Sequence, residues 1–136
     1  KAIMAQAALE TGWGKHIIHQ GNGDNSHNLF GIKADQRWDG DVAKVSTLEY
    51  HQGIAKKEIA PFRVYDSYEA SLKDYASFIQ DSDRYQGAVQ AGKSVKGYSE
   101  GLQKGGYATD PNYAQKIQRI ASGDLLNSAI KQVKKG

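Results

Sequence analysis

Apolar residues occur nearly all the way round the segment Lys1–Thr11, which contains neither Gly nor Pro. That pattern predicts a short helix buried on most of its sides. Gly12 follows at the position where a glycine commonly ends a helix in the left-handed conformation. The turn-rich stretch Gly21–Asn28 then predicts a loop. The chain is therefore expected to open with a buried helix followed by a loop.

The pattern changes to alternation in the segment Val42–His51, which is rich in β-branched and aromatic residues. Its residues at odd positions, Glu49 among them, would share one face of a strand. Gln52 and Gly53 suit a turn, and Phe62–Tyr65 predicts a further strand. The sequence therefore predicts a small antiparallel sheet, either one hairpin or three strands.

Helical periodicity returns after this sheet. Asp66 and Ser67 are residue types that favour helix N-caps, and Glu69 lies three positions after Asp66, as in a capping box. The predicted helix runs to about Gln80. Its apolar stripe consists of Tyr68, Leu72, Tyr75 and Ile79.

Four more helices are predicted in the rest of the chain. They are Tyr85–Ala91, Ser94–Lys104, a helix with Pro111 in its first position that ends at Gly123, and Asp124–Val133. The helix at Pro111 would bury Tyr113, Ile117 and Ile120. A mostly helical chain with one small inserted sheet has an α+β fold, and a length of 136 residues suits a single domain.

Charge and composition narrow the classes of function. The net charge of +3 and the sequence pI of about 9.0 suit an anionic partner. Apart from the tail residues Lys131, Lys134 and Lys135 the basic residues are scattered, which argues against nucleic acid as the partner. The absence of cysteine excludes a disulfide scaffold, a thiolate metal site and a cysteine nucleophile. No apolar run approaches the roughly 20 residues of a membrane span, and no signal peptide is visible, so membrane insertion is not expected.

Glu10 is the first candidate for chemistry. It lies at the end of the predicted buried helix, where the helix dipole penalises an ionised carboxylate. Apolar neighbours such as Trp13 would act in the same direction. Both effects favour a carboxyl that stays protonated near neutral pH, as a general acid requires. A surface Glu in a last helical turn would give the same pattern, so both interpretations stay open.

Two further carboxylates could accompany it. Glu49 lies near the tip of the predicted hairpin, and glycosidases use carboxylates in pairs. Asp74, two positions after Leu72 in a helix with a buried stripe, could orient a catalytic group. A solvent-facing Glu and a solvated helical Asp are the alternatives, and the residues alone leave them open.

Two tyrosines and the absence of several sequence motifs bear on the kind of site that is expected. Tyr107 and Tyr113 flank a glycine-rich turn, where a tyrosine could stack on a sugar or hydrogen-bond an N-acetyl group. Core packing is the alternative for Tyr113. The four histidines show no HExxH pattern, and neither GxSxG nor a phosphate loop occurs, so no metal, serine triad or nucleotide cofactor is predicted.

Five segments taken together resemble a known family. They are AQAALETGWGK (Ala5–Lys15), NLFGIKA (Asn28–Ala34), TLEY (Thr47–Tyr50), FRVYDSYEASLKDYASFI (Phe62–Ile79) and YATDPNYAQKI (Tyr107–Ile117). In this order they are similar to the glucosaminidase domain of glycoside hydrolase family seventy-three, and within it to a flagellar peptidoglycan hydrolase of enteric bacteria. The resemblance spans about Lys1–Gly123.

The resemblance implies a lysozyme-like fold, in which a helical lobe and a small β-lobe border a glycan groove. It implies hydrolysis of the β-1,4 bond between N-acetylglucosamine and N-acetylmuramic acid in peptidoglycan. The family's acid matches Glu10, its β-lobe carboxylate matches Glu49, and its helical Asp matches Asp74.

The family's substrate-site tyrosine falls on Tyr113, with Tyr107 close by. Trp13 and Asn28, which belong to the matching segments, are expected to support the site or bind substrate. The family pattern usually carries another helix before Lys1, so residues 1–136 are expected to be a catalytic domain without its first helix.

Three routes of hydrolysis remain open after Glu10 donates its proton. Glu49 could activate a water, or attack the sugar directly. In the third route the substrate's own 2-acetamido group attacks, and Glu49, Asp74 or Tyr113 assists. A mobile Glu49 acting as base or stabiliser is the expectation, and none of the routes needs a metal or an organic cofactor.

Two other functions compete with hydrolysis. A lytic transglycosylase uses one acidic Glu on this type of fold, and a non-catalytic peptidoglycan-binding module uses none. The resemblance also implies a periplasmic enzyme that opens the cell wall for the flagellar rod. Rod proteins would then be bound by a separate upstream domain.

Overall fold

A computed structural model describes residues 1–135, without the side chains of residues 129, 130 and 132–135. The side chains of Lys134 and Lys135, part of the basic tail, therefore lie outside the described residues. The strands are β1 (Val42–His51) and β2 (Ile54–Arg63). The helices are α1 (Ala2–Thr11), α2 (Tyr68–Asp81), α3 (Gln86–Gln90), α4 (Val95–Lys104), α5 (Tyr113–Ser122) and α6 (Asp124–Lys135), with a 3-10 turn at Asp83–Tyr85.

The two strands form one antiparallel hairpin, in which every residue of β1 pairs with β2. Gln52 and Gly53 form its turn and have φ values of 54° and 81°, which match the twist of a tight hairpin. The strand predicted at Phe62–Tyr65 is instead the end of β2, and Val64 and Tyr65 lie beyond it. Of the two sheets that the sequence allowed, the hairpin is the one present among the described residues.

Helix α1 is buried along one face rather than on most sides. Ala5 and Gln6 are fully buried where the helix packs against α5. Ile3 and Met4, on the other side, are 41% and 46% exposed. The prediction of near-complete burial was wrong because apolar composition does not fix which face a helix packs.

Helix α2 differs from its prediction in its cap and in its buried stripe. Ser67 caps it by accepting a hydrogen bond from the Ala70 N–H, so the capping box of Asp66 and Glu69 is not formed. Tyr68 and Leu72 are exposed, and the buried positions are Ser71, Tyr75 and Ile79. The stripe is displaced because Tyr68 turns toward the preceding loop, where its hydroxyl accepts a hydrogen bond from Asn25.

Helix α5 begins at Tyr113, two residues later than predicted. Asp110 accepts a hydrogen bond from the Asn112 N–H, so Asp110 and Pro111 form a turn before the helix. Its buried residues include Tyr113 and Ile117, whereas Ile120 is only partly buried.

The core is rich in aromatic residues and lies among the helices. Phe30 stacks on Tyr75 with ring centroids 4.0 Å apart, and Tyr85, Leu102 and Ile117 are buried around them. The hairpin projects from this helical lobe, which is the lysozyme-like α+β arrangement that was expected. None of the helices within residues 1–135 is long and apolar enough to cross a membrane.

Candidate active site

A groove of about 550 Å³ lies between the helical lobe and the hairpin. The end of α1 and the start of α5 line one side, and β1 lines the other. Four of the predicted site residues lie on it: Glu10, Glu49, Tyr107 and Tyr113. The structure thus brings together two carboxyl groups and two tyrosines that are far apart in the sequence.

The end of α1 places Glu10 in this groove. Gly12 has φ 55° and ends the helix in the left-handed conformation, as predicted. Thr11 reinforces the end, since its hydroxyl donates to the Ala7 carbonyl at 2.8 Å and accepts from the Gly14 N–H at 3.0 Å. Glu10, two residues before Gly12, is therefore held by a rigid helix end.

The two oxygens of Glu10 have different neighbours. Oε1 accepts a hydrogen bond of 2.6 Å from the Tyr113 hydroxyl. Oε2 lies over the backbone of Gly31, where a Cβ atom would be only 2.6 Å from it. Gly31 has φ 61°, a conformation that side chains disfavour. A glycine here therefore avoids both a backbone penalty and a displacement of the Glu10 carboxyl group.

Burial raises the pKa of Glu10 to about 7. The hydrogen bond from Tyr113 lowers it, and the negative charge of Glu49 raises it further. Glu10 can therefore carry a proton at near-neutral pH and release it within the physiological range, which suits a general acid.

Glu49 is held in the opposite ionisation state. It lies within β1, two residues before the end of the strand, and is 8% exposed. Burial raises its pKa, but hydrogen bonds from Lys33 (2.6 Å) and Thr109 (2.7 Å) outweigh this effect and keep the pKa below its ordinary value. Glu49 is therefore a carboxylate at neutral pH.

Thr109 also joins the hairpin to the helical lobe. Its hydroxyl accepts from the Tyr50 N–H at 2.9 Å and donates to Glu49. Glu49 is thus bonded to both Lys33 and Thr109, and the mobility expected for it near the hairpin tip stays a prediction.

We expect the opposite ionisation states to give a bell-shaped pH profile. On a glycan substrate, kcat/KM should fall about tenfold per pH unit above pH 7, as Glu10 loses its proton. The acidic limb should lie below the usual range of glutamate, because the pKa of Glu49 is lowered. Initial rates measured from pH 3 to pH 9 test this, and a profile that still rises above pH 8 would contradict it.

Lys33→Met should move only the acidic limb of that profile. Without the ammonium group, only Thr109 and the charge of His51 oppose the effect of burial on Glu49, so the pKa of Glu49 rises. Because Lys33 is half exposed, the effect should be modest, about fivefold lower kcat/KM below pH 5 and little change at pH 7. Lys44→Met, at an exposed position of β1, the strand that carries Glu49, is the control. Equal shifts in both variants would refute the role of Lys33.

The two tyrosines form a stacked pair, with ring centroids 5.9 Å apart. The Tyr107 hydroxyl donates to the Phe30 carbonyl at 2.6 Å, so it holds the loop that carries Gly31. Burial raises the pKa of Tyr113 well above its ordinary value, and the adjacent Glu10 raises it further. Tyr113 therefore keeps its proton and acts as a donor to Glu10.

Asp74 lies outside this groove, in a second hollow that Arg63 also lines. It accepts hydrogen bonds from Arg63 (2.8 Å) and from the Tyr65 hydroxyl. Arg63 is buried and also donates to the Lys33 carbonyl at 3.1 Å. Asp74 therefore reaches Glu49 only indirectly, through Arg63 and Lys33.

Asn28 and Trp13 also lie away from the groove lining. Asn28 is 1% exposed, and its amide bonds the Ile32 N–H, the Ile32 carbonyl and the Arg63 carbonyl. It shapes the loop of Gly31 and has no surface for a substrate. Trp13, which follows the left-handed turn at Gly12, is 43% exposed and is not among the residues that line the groove.

Sequence reasoning missed three residues that contact the carboxyl groups, Gly31, Lys33 and Thr109. It also missed Gln6, which donates a hydrogen bond of 2.9 Å to the Tyr113 hydroxyl. Gly31 and Lys33 belong to the segment NLFGIKA and Thr109 to YATDPNYAQKI, but a segment match assigns no contact. Gln6 could have been recognised in the sequence, because it is a lone polar residue in an otherwise apolar stretch of α1.

A groove with one protonated and one ionised carboxyl group is the arrangement of an acid-assisted glycosidase. The family model described as mannosyl-glycoprotein endo-beta-N-acetylglucosaminidase matches residues 1–125. The chain belongs to this glucosaminidase family.

Relatives and solved structures agree with the assignment. The chain is 56% identical over 119 residues to the peptidoglycan hydrolase FlgJ of Pseudomonas aeruginosa, a match that covers 88% of this chain and 30% of the relative. A peptidoglycan hydrolase mutant from Sphingomonas sp. A1 has a TM-score of 0.91 at 45% identity, covering 96% of this chain and 84% of that one. The glycoside hydrolase domain of Salmonella typhimurium FlgJ has a TM-score of 0.70 at 40% identity, covering 98% and 78%. The chain spans about a third of the length of the curated FlgJ relatives.

Proposed function

We propose that this chain hydrolyses the β-1,4 bond between N-acetylglucosamine and N-acetylmuramic acid within peptidoglycan strands. The observation that carries the proposal is the pair of carboxyl groups on one groove, Glu10 with a pKa of about 7 and Glu49 with a lowered pKa. Relatives and neighbours named as peptidoglycan hydrolases support peptidoglycan as the substrate.

Glu10 starts the reaction as the general acid. Its proton is transferred from Oε2 to the glycosidic oxygen as the bond from that oxygen to C1 breaks, which leaves a hydroxyl on the departing sugar. The resulting Glu10 carboxylate is stabilised by the hydrogen bond from Tyr113. The helix end and the backbone of Gly31 keep the carboxyl in place during this step.

Glu49 completes the reaction as the ionised carboxylate. It stabilises the positive charge that develops on the sugar, and it accepts a proton from the water whose oxygen bonds to C1. The product ends in a reducing N-acetylglucosamine. Loss of that proton from Glu49 and protonation of Glu10 from solvent restore the starting state.

The proposed setting rests on the resemblance to the flagellar relatives. We propose that the enzyme acts in the periplasm, where it opens the wall for the flagellar rod. In this proposal rod proteins would be bound by a separate upstream part of the protein, which is consistent with the greater length of the FlgJ relatives.

A digest of purified peptidoglycan analysed by mass spectrometry tests the function. Fragments ending in reducing N-acetylglucosamine, lost in Glu10→Gln, would support hydrolysis. Anhydromuramyl ends would overturn the proposal in favour of a lytic transglycosylase. Retained cell-wall binding with no product from the unaltered chain would favour a binding module.

A further inference from the structure

Gln6 is the exception in helix α1, because it is a polar side chain with no exposed surface. A buried amide is costly unless its donors and acceptor are bonded. Its Nε2 donates to the Tyr113 hydroxyl at 2.9 Å, and its Oε1 accepts from the Tyr75 hydroxyl. Gln6 thus connects the interior of the helical lobe to the partner of the general acid.

The Gln6 amide faces Tyr75 with its oxygen, so the Tyr75 hydroxyl is the donor in that hydrogen bond. The Tyr75 hydroxyl also bonds the Tyr98 hydroxyl, and since it gives its single hydrogen to Gln6, Tyr98 must be the donor to Tyr75. The hydrogen bonds therefore all point one way, from Tyr98 through Tyr75 and Gln6 to Tyr113 and Glu10.

This direction determines what Tyr113 can do. The Gln6 Nε2 group has hydrogens and no acceptor, so the Tyr113 oxygen must accept from it. The hydrogen of Tyr113 is then free only for Glu10 Oε1. Because Oε1 is occupied as an acceptor, the proton of Glu10 belongs on Oε2, the oxygen over Gly31.

We propose that Gln6 is a positioning residue that fixes the direction of the Tyr113 hydrogen bond, and so selects the oxygen of Glu10 that carries the catalytic proton. The inference rests on the proposed role of Glu10 as general acid. It assigns a mechanistic reason to a buried polar residue outside the groove lining.

Removing the amide should change both the proton affinity and the rate. In Gln6→Met, Tyr113 can turn and accept from protonated Glu10, and its donation to the ionised form loses the support of Gln6. Both changes favour protonated Glu10, with about tenfold higher proton affinity, the size expected for one hydrogen bond to a charged group. At the same time kcat should fall about tenfold, because most of the population then holds the proton on Oε1.

The test is a carboxyl-carbon NMR titration of Glu10 in the whole chain, with kcat measured on purified peptidoglycan. The titration needs no substrate, so it remains informative if the proposed activity fails. The expected result is a midpoint about one pH unit higher in Gln6→Met than in the unaltered chain. Tyr75→Phe should move it in the same direction, because the amide is then free to turn over, and this variant serves if Gln6→Met does not fold.

Two controls separate positioning from simple loss of stability. Ser71→Ala removes another buried polar group, one that accepts from the Leu29 N–H, and should lower Tm without moving the Glu10 midpoint. In a Tyr113→Phe background, Gln6→Met should produce no further shift, since its route to Glu10 is gone. An unmoved midpoint in Gln6→Met, or a shift that persists without the Tyr113 hydroxyl, would overturn the proposal.

Discussion

Glu10→Gln should reduce hydrolysis of purified peptidoglycan by about a thousandfold, within the range attributed to general acid catalysis. The amide can accept the hydrogen bond from Tyr113 and fills the same space, but it has no acidic proton to give to the leaving oxygen. Release of reducing ends, measured at pH 6 where Glu10 is largely protonated, gives the rate.

The fold should survive this change and become more stable in alkaline solution. The pKa of Glu10 is raised from 4.5 to about 7, so the folded state favours the protonated form, and stability is lost as pH rises through this interval. Glutamine cannot ionise and so avoids this loss of folding free energy, which amounts to roughly 3 kcal/mol at pH 8. Glu100→Gln, at an exposed position of α4, should change neither rate nor Tm. A Glu10→Gln enzyme with more than a tenth of the original rate would refute the assignment.

Gly31→Ala is expected to reduce kcat/KM by about a hundredfold, the cost of displacing a catalytic group by roughly 1 Å. A Cβ atom at this position would lie 2.6 Å from Glu10 Oε2, so the carboxyl or the loop must move. The φ of 61° adds a backbone penalty of about 1 kcal/mol for alanine. Rates on purified peptidoglycan and thermal unfolding measure the two effects.

Gly23→Ala separates backbone strain from contact with the acid. Gly23 has φ 89°, and a Cβ atom there would meet nothing within 4 Å. Gly23→Ala should lower Tm by about as much as Gly31→Ala and should leave kcat/KM unchanged. If the two alanine variants lose activity equally, the approach of Gly31 to Glu10 has no catalytic importance.

Elements with a strong local pattern were predictable from the sequence. Strand β1 was predicted with its correct bounds because alternation and a turn-forming Gln52-Gly53 pair identify a hairpin without tertiary contacts. Gly12 was predicted as the end of α1 for a similarly local reason. The start of α5 was not, because the Asp110 side chain caps a turn that postpones the helix to Tyr113.

The site was predictable in its residue types and only partly in its arrangement. Position and resemblance selected Glu10, Glu49, Tyr107 and Tyr113, which share the groove. What keeps Glu49 ionised was not predictable, because the contact with Lys33 depends on how a loop packs against a strand.

The least predictable site features are those with no local signal at all. Asn28 belongs to a matching segment, but its amide is hydrogen-bonded to backbone groups of Ile32 and Arg63. These bonds depend on three-dimensional packing and cannot be predicted from the local sequence. Asp74 likewise accepts hydrogen bonds from Arg63 and Tyr65 and does not line the groove. Residue type and order therefore identify candidates, whereas hydrogen-bond partners decide what each candidate can do.

The central claim is that the fold separates the ionisation of two glutamates, with Glu10 protonated and Glu49 ionised near neutral pH. An NMR titration of the chain labelled at its glutamate side-chain carboxyl carbons tests it directly, with Glu10→Gln to assign the resonance. We expect one carboxyl resonance to titrate near pH 7 and to be missing from the spectrum of Glu10→Gln. The resonance of Glu49 should titrate below the ordinary pKa of a glutamate. A Glu10 resonance that titrates with the surface glutamates below pH 5 would contradict the account.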